Sequence, residues 1–117
     1  MDRLGEHGVM AARAQAVVRD DPAFADKLVE ERKNGVVLWR RVHPEGRPPW
    51  ETYYVPWARI LLEDPDHSRC RLEYLRYTNR WQTLDFTGTL EACVREIQHD
   101  PGGVFFPDGR PQPADGR

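Results

Sequence analysis

Apolar residues recur along this chain first at helical and then at strand-like spacing. From Gly8 to Asp20, Met10, Ala14, Val17 and Val18 fall on one side of a helical wheel, with Arg13 and Arg19 elsewhere. That period, with abundant alanine, predicts a helix. Asp21 and Pro22 suit an N-cap and a first helical position. Phe24, Ala25, Leu28 and Val29 then form an apolar stripe opposite Glu30 and Glu31, and Arg32 and Lys33 suit the last turn. Asn34-Gly35 reads as a stop signal, so the pattern predicts a second helix between Asp21 and Lys33.

At Val36 the period changes. Val36 to Val42 is β-branched and aromatic, a predicted strand, and the prolines and glycine of His43 to Pro49 make a loop. Trp50 to Leu62 is a second strand whose parity switches. Tyr53, Val55 and Trp57 share one face, Ala58, Ile60 and Leu62 the other, and Pro56 near the switch marks a bulge or an edge position. After the turn Glu63 to His67, Arg69 to Thr78 is a third strand with Cys70, Leu72 and Tyr74 on one face. Thr78-Asn79-Arg80 turns the chain into a fourth strand, Trp81 to Phe86. Thr89 caps a final helix with Leu90, Cys93, Val94 and Ile97 on one face, and Asp100-Pro-Gly-Gly103 ends it. Val104 to Phe106 is expected to fold back onto the core.

The predicted fold class is therefore α+β: two N-terminal helices, a four-stranded antiparallel meander, and a C-terminal helix packed on the sheet. Residues 1–106 form a single domain and 107–117 a flexible tail rich in proline, glycine and charge. A chain of 117 residues supports one core.

The fragments Arg47-Pro-Pro-Trp50, Val55-Pro-Trp-Ala58, Leu72, Asn79-Arg80-Trp81, Glu96-Ile97-x-x-Asp100-Pro101 and Val104-Phe105 occur in an order that resembles the bacterial family catalogued as domain of unknown function 3024. The resemblance runs from Val36 to Phe106. Around Cys70 the family pattern leads one to expect an aromatic, and around residues 74–77 a more polar stretch; here Tyr74-Leu-Arg-Tyr77 stands instead. The resemblance implies a bacterial origin and a shared fold, and no activity.

Composition narrows the chemistry. The formal net charge of -2 lacks the positive excess of a dedicated nucleic-acid protein. No apolar run is long enough to span a membrane, and Met1 to His7 lacks the apolar stretch of a signal peptide, so a cytoplasmic setting is expected. Asp64, Asp66, His67 and Cys70 have ligand-like spacing but no second His or Cys pair, and they read equally as a solvated turn. Cys70 and Cys93 lie on predicted packing faces, which makes them inert partners for His43, His67 or His99. The carboxylate pairs Asp20-Asp21 and Glu63-Asp64 read as a cap and a solvated turn. There is no phosphate-binding glycine loop, nucleophile elbow or dinucleotide fingerprint, so neither a catalytic residue nor a cofactor is assigned.

What remains is an excess of arginine and aromatic residues. If the helices cover one sheet face, the other is too aromatic for water and marks a partner surface, for another protein or for a second copy of the chain. Trp57, Tyr77, Arg69 and Arg71 are the expected contacts there, with Arg47 and Trp50 from the neighbouring loop. The alternative is nucleic-acid binding by Arg69, Arg71, Arg76 and Arg80, interleaved with Tyr74, Tyr77 and Trp81 as stacking rings; a small enzyme ranks third.

Overall fold

A computed structural model describes residues 8–64 and 69–109, and the account that follows concerns these residues. The expectations placed on His67 and Asp66, on the segment before Gly8, and on residues 110–117 of the tail lie outside them. The fold is α+β with a five-stranded antiparallel meander and two helices. In chain order it comprises α1 (Val9–Val17), β1 (Lys27–Arg32), β2 (Gly35–Val42), β3 (Tyr53–Leu62), β4 (Cys70–Leu75), β5 (Trp81–Gly88) and α2 (Leu90–His99).

The second predicted helix is not there. Asp21 does cap and Pro22 does open a helical turn, with Asp21 accepting from Ala23 N at 3.0 Å, but the turn is a short 3-10 piece, Pro22–Phe24. The chain then extends into β1, so the sheet has five strands where four were predicted. Asn-Gly signals both a helix stop and a tight hairpin. Here Lys33 and Asn34 link the paired residues Arg32 and Gly35, which makes it a hairpin. The apolar stripe of Phe24, Ala25, Leu28 and Val29 is split accordingly: Phe24 and Val29 are buried, whereas Leu28 is 47% exposed.

Both helices lie on one face of the sheet. Val36, Leu38, Ala58, Ile60, Cys70 and Leu72 form that face and bury themselves against Met10, Ala11, Ala14, Leu90, Cys93, Val94 and Ile97. The last helix follows its sequence closely, with Thr89 Oγ1 accepting from Ala92 N at 3.0 Å. The start of α1 has no side-chain cap of its own. Instead Glu31 reaches from β1 and accepts from Ala11 N at 3.1 Å, meeting a donor that the helix leaves free. Arg13 in α1 and Glu91 in α2 pair through two bonds of 2.7 and 2.8 Å.

The parity switch in the second predicted strand is a bulge. Leu38 pairs with Ala58 but Trp39 pairs with Pro56, so Trp57 is the extra residue. Trp57 and Ala58 are therefore both turned to the core, and both are buried. Pro56 is tolerated because β4 pairs with β3 only over Ala58–Leu62, and no neighbour on that side asks for its missing N–H.

Residues 104–106 fold back as expected. Asp100 sits at φ 45°, and its carboxylate accepts from Val104 N, Phe105 N and Phe106 N at 2.8–3.0 Å. The Phe105 carbonyl in turn accepts from Trp57 Nε1 at 3.1 Å. Rings of Phe24, Phe105 and Phe106 meet Trp57 edge-on, with centroids 5.3–5.7 Å away.

Candidate functional site

The sheet face away from the helices was the expected docking surface. Cross-strand pairing places Leu28, Trp39, Pro56, Val37, Arg59, Leu61, Arg71, Glu73, Leu75 and Trp81 on it. Much of it covers itself. Arg59 lies over the Trp81 ring with its guanidinium carbon 4.3 Å from the centroid, and it donates to Glu73 at 2.6 Å. Thr83 donates to the other Glu73 oxygen at 2.8 Å, and Arg71 approaches the same carboxylate at 3.3 Å. Glu73 is only 5% exposed although it stands on the outer face. Arginine stems and one shared carboxylate thus roof the apolar centre of this face.

The acidic group at the middle of that roof titrates abnormally. Burial opposes charging of Glu73, but the hydrogen bonds from Thr83 and Arg59 and the charges of Arg59 and Arg71 outweigh it and hold the carboxyl below its ordinary range. Glu91 is lowered further, to about 2, chiefly by its hydrogen bond from Arg13. Both folded-state values lie below the unfolded ones. Their contribution to stability is therefore complete above the ordinary carboxylate range and is lost as pH falls, for Glu91 through about 2. Arg13 and Glu91 are each about one third exposed, so solvent screening holds their pair below about 1 kcal/mol. Chemical denaturation at pH 7 and pH 2 tests this. The stability difference between the native chain and Glu91→Gln should shrink at the acidic end, and an unchanged difference would contradict the assignment.

The expected site residues separate. Trp57 is 7% exposed and belongs to the core, so it is withdrawn as a surface contact; the bulge turned it inward. Tyr77 does not share a strand face with Arg69 and Arg71, because β4 ends at Leu75 and Tyr77 stands in the following turn. Arg71 is on the outer face, paired with Glu63 at 3.0 Å, and Arg69 sits beside the same carboxylate at 4.0 Å. These two lie at the end of the sheet where β4 begins. Arg47, Trp50 and Tyr77 lie at the opposite end, on the β2–β3 and β4–β5 connections.

That opposite end is where aromatic surface collects. The exposed large apolar residues are Val9, Leu28, Trp50, Tyr53, Tyr54 and Tyr77, and the last four are all there. Trp50 is 79% exposed and Tyr77 94%. The cause is topological. β3 runs five residues, Tyr53 to Trp57, past the end of its pairing with β4. β1 reaches only to Lys27, opposite Arg40, so beyond it Arg41 and Val42 pair with Tyr54 and Tyr53 alone, a two-stranded arm roughly 7 Å long at about 3.3 Å per residue. Tyr54 pairs with Arg41, so ring and guanidinium share one face of the arm; Tyr53 and Arg40 are on the other.

Arg41, His43, Pro49, Trp50 and Thr52 line an open hollow of about 430 Å³ on this arm. His43 Nδ1 donates to the Glu51 carbonyl at 3.1 Å, and Arg47 pairs with Glu51 at 2.7 Å, which folds the loop onto itself. Beside the arm, Arg76 N donates to the Arg80 carbonyl at 2.9 Å and Asn79 takes φ 68°. This closes a turn that displays Tyr77, with the Arg76 guanidinium 5.9 Å from its ring centroid. Sequence reasoning found Arg47, Trp50 and Tyr77 and counted Tyr53 among the surplus apolar residues, but passed over Arg40, Arg41 and Tyr54. Their exposure follows from the unequal lengths of β3 and β4, which no local pattern reports.

Burial raises both thiols, Cys93 to about 12, and the Cys93 thiol donates to the Cys70 carbonyl at 3.7 Å. Neither is an activated nucleophile. Among the described residues no three His, Cys, Asp or Glu side chains are placed to hold a metal, and no helix is long and apolar enough to cross a membrane. No family model, curated protein or solved structure matches the chain.

Proposed function

We propose that this chain is a non-catalytic interaction module that engages its partner through the arm and the neighbouring β4–β5 turn. The observation that carries the reading is the collection of Trp50, Tyr53, Tyr54 and Tyr77 at one end of the sheet, exposed and interleaved with Arg40, Arg41, Arg76 and Arg80. Trp, Tyr and Arg are the side chains that dominate binding energy at interfaces. The outer sheet face is a weaker site, because Arg59 already pairs with Glu73 across it and Arg71 stands 3.3 Å from the same carboxylate. The proposal includes a bacterial, cytoplasmic setting. It also includes kinship with domain of unknown function 3024, whose matching fragments fall on the β2–β3 loop, the bulge, β4, the β4–β5 turn, the end of α2 and the segment after it.

A photo-cross-linking residue in place of Tyr77 tests the reading. A defined adduct should form from position 77 and not from position 9, exposed on α1, with a self-adduct indicating a homodimer. Equal labelling from both positions, or none from either, would sink the proposal. Trp50→Ala and Tyr77→Ala should shift folding stability by no more than about 0.5 kcal/mol, as exposed substitutions do, measured by urea unfolding.

A further inference from the structure

The arm and turn have a composition that fits one kind of partner. Arg40, Arg41, Arg76 and Arg80 are exposed, and none of them enters an ion pair among the described residues. Elsewhere on the sheet arginines are committed, Arg32 to Glu30, Arg59 to Glu73 and Arg71 to Glu63. Of the two glutamates in the arm's loop, Glu51 is neutralised by Arg47. The end of the sheet is thus locally cationic on a chain whose formal charge is -2. Charges more than about 8–10 Å away are largely screened at physiological salt, so the local excess governs.

The rings point the same way. Among the described residues, the large apolar side chains exposed on the arm, its loop and the β4–β5 turn are all aromatic; the exposed aliphatic residues are Val9 on α1 and Leu28, which pairs with Trp39 at the base of the arm. The rings do not make one flat patch: Tyr54 is on one face of the arm, Tyr53 on the other, Trp50 on the loop and Tyr77 on the turn. A dry protein interface needs a contiguous desolvated centre. Addition of a peptide strand to the edge of β3 left free beyond β4 is opposed by Pro56, which lacks an N–H, and by the bulge at Trp57. Dispersed rings, with Arg41 opposite Tyr54 and in the same hollow as Trp50 and Arg76 beside Tyr77, suit a flexible chain that carries planar groups and regularly spaced negative charges.

We infer that this end of the sheet binds single-stranded nucleic acid. The bases stack on Trp50, Tyr54 and Tyr77, and the phosphates are held by Arg41, Arg76 and Arg80. Arg41 and Trp50 line the same hollow, so one nucleotide can use both. Arg76 and Tyr77 offer the same pair of groups on the turn. The inference rests on the interaction-module reading and names its partner.

Fluorescence anisotropy with labelled oligothymidylate and oligouridylate tests it. Three phosphate contacts on a single strand give a log–log salt slope of about -2, or roughly a twenty-fold weakening between about 50 and 200 mM salt. The combined variant Arg41→Ala, Arg76→Ala, Arg80→Ala should flatten that slope. Trp50→Ala with Tyr77→Ala should weaken binding at every salt concentration and leave the slope in place. No binding at the lowest salt, or binding that the arginine variant leaves unchanged, overturns the inference. The adduct from position 77 separates the two levels of argument. If nuclease degrades the attached partner, the inference is supported. If only protease does, a protein partner stands, and the nucleic-acid inference fails while the module reading survives.

Discussion

Replacing Gly35 by alanine should unfold this protein or leave it barely folded. Gly35 opens β2 at φ +153°, a conformation that L side chains rarely adopt, and a Cβ there would stand 1.8 Å from the Ile60 carbonyl oxygen. The obstacle is backbone of the central strand β3, which cannot swing aside as a side-chain tip would. Gly35 also closes the β1–β2 hairpin through its pairing with Arg32 and faces Leu61 on β3. Strained backbone alone costs about 1–3 kcal/mol, and the displaced strand adds to it, so a loss of at least about 3 kcal/mol is expected. That approaches the whole stability of a small domain. Urea unfolding of Gly35→Ala against Gly46→Ala makes the comparison. Gly46 is at φ +79° but its Cβ would meet nothing, so it should cost only the strain. Equal losses at the two positions would refute the account.

Trp57→Ala should cost about 3–5 kcal/mol, the range for truncating a buried aromatic. The indole joins β3 to the segment after α2. Its Nε1 donates to the Phe105 carbonyl at 3.1 Å, its faces and edges meet Phe24, Phe105 and Phe106, and the Lys27 ammonium lies 4.9 Å from its ring centroid. Trp57→Phe keeps much of the ring packing and loses the hydrogen bond, leaving a buried carbonyl unmet, so about 1–3 kcal/mol is expected. Thermal or urea unfolding of the pair distinguishes them. A Trp57→Ala variant as stable as the native chain would return Trp57 to the surface, where sequence parity had placed it. Because Trp57 is internal, either variant weakens partner binding only by loosening the fold, in contrast with Trp50→Ala and Tyr77→Ala.

Local chemistry made much of this protein legible in its sequence. Thr89, the run Leu90, Cys93, Val94 and Ile97, and the stop at Asp100 specify α2 without help, because capping and helical period act within a few residues. The alternation of Cys70, Leu72 and Tyr74, the parity switch at Pro56 and the turn at Asn79 likewise carried over into β4, the bulge and the β4–β5 connection. Lys27 to Arg32 could not be decided in that way. Its stripe fits a helix and a half-buried strand about equally, and only pairing with β2, which buries Val29 beside Leu38, favours the strand.

The candidate site depended on tertiary structure still more. Trp50 and Tyr77 were recognisable as aromatic residues in or beside turns, but nothing local indicates that their two turns share one end of the sheet. That follows from the strand order, and the exposure of Tyr53 and Tyr54 follows from β3 outrunning β4. The roof over the outer face is equally a product of assembly, since Arg59, Glu73 and Thr83 come from three strands. Sequence by itself determined the helix at the C-terminal side, the meander and the stock of arginine and aromatic groups, because each is written in short-range pattern and composition. The tertiary structure alone decided which of those groups are spent on one another and which are left exposed, because burial and ion pairing depend on residues far apart in the chain.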